Sequence, residues 1–171
     1  MVGINPEQFQ QLLGQLFAAI NNHEPAVLAK INALLEKIPE EPNLLHLAGL
    51  ASADQNQLSA AIDYLLRSLS RQSEQPEVHN NLANVYAKQG NNLLAEKHYR
   101  QALQLNPDFQ DALKNLGLLL ISVSPEAAVV DLDRAIAQNS KDIGALTGLG
   151  DAHKALENFE LSTEYYQRAL E

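Results

Sequence analysis

Three observations in the sequence predict an all-α chain of stacked antiparallel helix hairpins. Apolar residues recur at helical spacing almost throughout, and no convincing alternating strand pattern interrupts them. Short polar clusters, "DQNQ", "KQGNN" and "LNPD", then divide the chain into segments about one helix long, the spacing of consecutive hairpins. The composition agrees: 46% apolar but only 5% aromatic, with no Trp and abundant Ala and Leu, it suits helices packed closely through small side chains.

The first element begins at Asn5-Pro6-Glu7, a capping residue followed by a first-turn proline and an acid near the positive helix end. Phe9, Leu12, Leu13, Leu16, Phe17 and Ile20 form its broad apolar stripe. A second helix is predicted from about Pro25 to Ile38, closed by "PEEP" at 39–42. Residues 1–41 thus read as a degenerate N-terminal hairpin that caps the rest of the chain.

From residue 42 the chain repeats itself. Gly49, Ala83, Gly117 and Gly150 stand 34, 34 and 33 apart; Ala61, Ala95, Ala128 and Ser162 stand 34, 33 and 34 apart. Ser68, Ala102, Ala135 and Ala169 keep the same steps. The copies are 42–75, 76–109, 110–142 and 143–171. The third is one residue shorter, the loss falling in its internal turn between Gly117 and Ala128. There Ser124-Pro125-Glu126 replaces Gln89-Gly90-Asn91, and Ser124 is the expected N-cap of the next helix.

These residues resemble the tetratricopeptide repeat, whose pattern places Leu-Gly and Tyr on the first helix and Ala-x3-Phe on the second. The second copy matches best, with Leu82, Ala83 and Tyr86, then Ala95 and Tyr99, then Ala102 and Pro107. The large aromatic near the repeat start is missing from every copy, where Leu45, His79, Leu113 and Leu146 stand. The resemblance implies a right-handed α-solenoid, a superhelix in which each hairpin buries its apolar face only against its neighbours.

Charge narrows the partners. Lys and Arg total 12 against 21 acidic residues, a formal charge of −9, which argues against nucleic acid and against anionic membrane surfaces. No apolar run approaches the roughly 20 residues needed to cross a bilayer, and the N-terminus lacks a signal-peptide pattern, so a cytoplasmic location is the expectation. Without cysteine, disulfides and thiolate chemistry are excluded. The five histidines form no H-E-x-x-H pair or metal-ligand spacing, and neither a Gly-rich phosphate loop nor a G-x-S-x-G elbow occurs. No catalytic residue, metal site or cofactor is therefore expected.

The resemblance also implies where a protein or peptide partner binds: on the concave face lined by the first helices. Position by position, that face carries His46, Leu50 and Asp54; Asn80, Asn84 and Lys88; Lys114, Leu118 and Ile121; and Asp151 and Lys154. Their i, i+4, i+7 and i+8 spacings put each set on one helix face. Lys88, Lys114 and Lys154 are offset by Asp54 and Asp151, and no Arg joins them, so the carboxylate clamp found in some relatives is weakly supported. Asn81 and Asn115 share one register and form either a two-rung ladder for a peptide backbone or ordinary helix-pair hydrogen bonds. Leu118 and Ile121 are either covered by neighbouring repeats or an exposed apolar patch.

The expected function is a non-catalytic module that binds a peptide or helix. The alternative is the recruiting arm of a larger enzyme, as in bacterial sulfotransferases and glycosyltransferases with such repeats. That alternative rests on the ending "YYQRALE", inside a second helix without a polar closing helix, which predicts further chain beyond Glu171. A third expectation is self-association through exposed end repeats.

Overall fold

The computed structural model describes residues 5–171, and these form ten helices with no strand. They are α1 (Pro6–Asn21), α2 (Val27–Leu35), α3 (Pro42–Asp54), α4 (Leu58–Arg71) and α5 (Pro76–Lys88), then α6 (Asn92–Leu105), α7 (Gln110–Leu120), α8 (Pro125–Gln138), α9 (Ile143–Ala155) and α10 (Phe159–Ala169). Residues 1–4 of the predicted N-terminal hairpin lie outside the described residues. The chain forms two compact units, Met1–Gln89 and Gly90–Glu171. In the first, α3 packs on α4 and α4 on α5, with α1 and α2 laid against α3. In the second, α7 packs on α8, α8 on α9 and α9 on α10.

The N-terminal hairpin is built as its sequence predicts at one end and differently at the other. Asn5 and Gln8 form a reciprocal capping box: Gln8 N–H donates to Asn5 Oδ1 at 2.8 Å, and Asn5 N–H to Gln8 Oε1 at 3.2 Å. Leu16, Ala19 and Ile20 bury against Val27, Ile31, Leu44 and Leu47, while Phe17, counted in the apolar stripe, is 48% exposed. Helix α2 is shorter than the predicted Pro25–Ile38 span. Pro42 opens α3 instead of closing α2, because Glu41 in extended conformation caps α3, its carboxylate accepting from Leu44 N–H at 2.7 Å.

Small residues on both helices let each hairpin close. A Cβ on Gly49 would stand 2.6 Å from Leu65 Cγ, one on Gly117 2.6 Å from Leu132 Cγ, and one on Gly150 2.5 Å from the Tyr166 ring. The larger side chain of the second helix therefore reaches across the first helix's backbone at each of these positions. Ser162 and Ser68 use the same closeness to donate to backbone carbonyls, of Gly150 at 2.8 Å and of Pro42 at 2.9 Å.

The shortened third copy loses more than turn length. In three copies the residue seven after the first-helix small residue has positive φ: Asn56 at 59°, Gly90 at 83° and Glu157 at 60°. The residue in that register in the third copy, Ser124, has φ −153°, outside the left-handed region, and its side chain makes no capping hydrogen bond, contrary to the expectation. Without the left-handed residue, α7 stops at Leu120, leaving Ile121 at its C-cap and Ser122 beyond it. The i, i+4, i+7, i+8 face therefore breaks in this copy.

Glu157 supplies a test. A glutamate held at φ near +60° is strained, so Glu157→Gly should stabilise the chain by about 0.5–1 kcal/mol despite glycine's looser unfolded state. Asn56→Gly should gain less, since asparagine tolerates this region. Thermal melts of both variants beside the parent check the order; a loss of stability in Glu157→Gly contradicts it.

Candidate functional site

The predicted positions fall on two separate surfaces, one in each unit. In the first unit α3 and α5 contact each other directly and leave a cleft of about 220 Å³ between them. Leu50, Ala53 and Val85 form its apolar walls, and Leu65 rises from α4 into its floor because Gly49 has no side chain to block it. Asn81, Asn84 and Lys88 supply the polar rim. Leu50, Asn84 and Lys88 are among the site residues expected from the sequence, whereas Leu65 and Val85 are not. The signal for Leu65 is the glycine twelve residues before its helix partner Ala61, which opens a path to the surface.

The other first-unit positions are engaged within the protein. Asn81 Nδ2 donates to His46 Nε2 at 2.8 Å, so this rung of the asparagine pair makes the helix-pair bond. Burial pushes His46 down to about 4, outweighing the opposite pull of the Glu77 carboxylate, so the ring is neutral and can accept. Asp54 Oδ1 lies 2.6 Å from His23 Nδ1 in the α1–α2 turn. Lys88 Nζ reaches the Ala53 carbonyl at 3.5 Å, at the limit of a hydrogen bond, and remains exposed. Asn80 is buried rather than presented, at 5% exposure, while Asn84 stands at the surface.

In the second unit the equivalent space is filled by the protein itself. Leu118 leans over Gly148 of α9, where a Cβ would come within 2.6 Å of its Cδ2. Leu132 approaches the same glycine from below, at 3.2 Å. Leu118 is thus both partly covered and 40% exposed, while Ile121 is half-buried at the helix end. Lys114 is bound to Asp142 at 3.1 Å and Asp111 at 3.3 Å. Asp142 also caps α9 through Ala145 N–H at 3.0 Å and accepts from Gln110 at 3.1 Å. Asp142 is held below the usual carboxylate range: burial opposes ionisation, but the Ala145 amide and the Lys114 ammonium together outweigh it. Asp151 accepts from the Tyr166 hydroxyl at 2.6 Å, and Lys154 is exposed without an ion pair among the described residues.

The open cleft thus offers a narrow apolar trough, amide groups that can both donate and accept, and one cation at its rim. Among the described residues no group of three or more His, Asp or Glu side chains is arranged to hold a metal ion, and no helix is long and apolar enough to cross a membrane.

Family models described as the tetratricopeptide repeat match residues 76–109 and 143–171. The chain is 33% identical over 110 residues to the DnaJ homolog subfamily C member 7 homolog of Schizosaccharomyces pombe. That match covers 61% of this chain and 23% of the relative, so the chain spans less than a quarter of that protein's length. Two solved structures share the fold. YrrB, a TPR protein with an unusual peptide-binding site, has a TM-score of 0.74 at 21% identity, covering 91% of this chain and 80% of its own. The first TPR of Spaghetti (RPAP3), bound to the HSP90 peptide SRMEEVD, has a TM-score of 0.66 at 21% identity, covering 68% of this chain and 94% of its own.

Proposed function

Because the chain is a tetratricopeptide-repeat protein, we propose that it is a non-catalytic interaction module holding an extended peptide of a partner protein in the α3–α5 cleft. The observation that carries this reading is the cleft itself, with Leu50, Ala53 and Val85 facing an open space rimmed by Asn81, Asn84 and Lys88. A trough this small accepts one aliphatic side chain at a time. The flanking amides suit a peptide backbone, which offers one donor and one acceptor per residue. The peptide-binding site of YrrB and the peptide held by RPAP3 support peptide binding as the mode.

The test begins with peptides selected from a random display library on the whole chain, their affinities then measured by fluorescence anisotropy. Combining Leu50→Glu with Asn84→Ala should weaken binding at least about tenfold by placing a charge against the apolar wall. Equal affinity for a variant with unchanged helical circular dichroism removes the cleft as the binding surface.

A second reading makes the same cleft the recruiting arm of a larger enzyme. It draws on the short share, 23%, of the Schizosaccharomyces pombe relative that this chain covers. Its binding step, and therefore its first test, are the same.

A further inference from the structure

A different cleft, of about 580 Å³, lies in the second unit between the loop before α9 and the end of α10. Lys141 and Arg168 line it together with Ser140, Ile143, Leu170 and one carboxylate, Glu171. Its chemistry is unusual for a chain carrying a formal −9.

The repeat register shows why. Arg67, Arg134 and Arg168 occupy equivalent places near the ends of second helices, and the loop before each first helix has an equivalent residue nine positions before the small residue Gly49, Gly117 or Gly150. In the first copy that residue is Glu40, which accepts from Arg67 Nε at 3.1 Å, while Arg71 Nε reaches its other oxygen at 3.2 Å. In the third copy it is Asp108, 3.7 Å from Arg134, which also donates to the neighbouring Pro107 carbonyl at 2.6 Å. In the last copy it is Lys141, a cation facing a cation in register. The aspartate next to it, Asp142, matches Glu41, the cap of α3, and is occupied by Lys114, Gln110 and the α9 cap. Arg168 instead lies over the Tyr165 ring at 5.1 Å, and among the described residues neither it nor Lys141 has a carboxylate partner. Ile143, 65% exposed, and Leu170, 89% exposed, add apolar surface to the same cleft.

We propose that this cleft binds an acidic peptide segment of a partner protein, its carboxylates paired with Lys141 and Arg168 and an aliphatic side chain laid against Ile143 and Leu170. The bound carboxylate takes the place that Glu40 holds beside Arg67. Aromatic stacking leaves the Arg168 guanidinium edge available for it, since a planar cation can stack and donate in its plane at once.

The probe is a fluorescein-labelled peptide with one leucine between flanking glutamates, titrated with the whole chain at low salt. Saturable binding that weakens as salt rises is expected. Lys141→Glu should weaken it at least about tenfold, because the new carboxylate pairs with Arg168 as Glu40 does with Arg67. Replacing the peptide's leucine by glycine should also weaken binding, and replacing its glutamates by lysines should abolish it. Lys141 is exposed at a loop, so its substitution leaves the fold intact. Asn84→Ala, in the other cleft, should bind the probe as the parent does, which separates this site from the α3–α5 cleft. No saturable binding by the parent, or equal binding by Lys141→Glu, overturns the proposal.

Discussion

Replacing Leu132 by alanine is expected to destabilise the chain by about 2–5 kcal/mol. Leu132 is fully buried, and it packs against two glycine backbones at once, Gly117 at 2.6 Å and Gly148 at 3.2 Å measured to the positions of their absent Cβ atoms. Removing it leaves a cavity walled on two sides by helix backbone at the glycines, which limits its collapse. The reverse substitution, Gly117→Ala, overfills the same contact. It should cost about 1–3 kcal/mol in packing, offset by roughly 1 kcal/mol of helix propensity. The Ala128 carbonyl, 3.2 Å from the new methyl, limits how far that methyl can retreat. Combined, the changes should compensate, since the Gly117→Ala methyl enters the space that Leu132→Ala vacates. Urea denaturation of the two single variants and the double variant measures this. The double should be more stable than the sum predicts by about 1 kcal/mol or more. Simple additivity would show that the leucine and the glycine do not share one contact.

The same contact shows how much of the fold the sequence carries. Gly117 and Leu132 belong to registers that recur at 33 or 34 residues, so their meeting is legible from spacing alone. The all-α hairpin fold comes from such registers because each small residue demands a large one opposite it. The missing residue of the third copy is legible too, but its effect is not. It removes the one turn position that adopts left-handed backbone, which ends α7 early and strands Ile121 outside the face on which its spacing places it. Polar pairings are the least legible. His46 bonds Asn81, Asp54 meets His23, and Lys114 meets Asp142, at separations of 35, 31 and 28 residues. These are contacts between successive hairpins, and nothing local marks which polar side chains meet. A position expected on the concave face therefore reads as free in the sequence while its side chain is already occupied. The cleft is hidden in the sequence for the opposite reason. It depends on Gly49 having no side chain, so that Leu65 of the next helix becomes part of the surface.

His46 should make the chain progressively less stable as pH falls from about 6.5 towards 4. Burial depresses the imidazole from its ordinary value near 6.5 to about 4. Between those values the unfolded chain takes up a proton that the folded chain refuses. The stability that the neutral ring contributes is therefore full above the unfolded value, falls as pH drops below it, and is lost completely once pH passes the folded value. The gap corresponds to a ceiling of roughly 3 kcal/mol. His79 is also lowered by burial and adds to the fall in the same direction. Asp131, raised by burial, opposes it near the lower end, whereas Asp142, lowered, contributes its own loss only at still more acid pH. Melting temperatures at pH 7.0 and about 4.5 test the assignment, each kcal/mol moving the midpoint by roughly 2–4 °C in a chain of this size. In His46→Gln the amide oxygen can still accept from Asn81, but nothing there titrates. Its melting temperature should change between the two pH values by several degrees less than the parent's. Parallel pH profiles for the two proteins would place the acid sensitivity elsewhere.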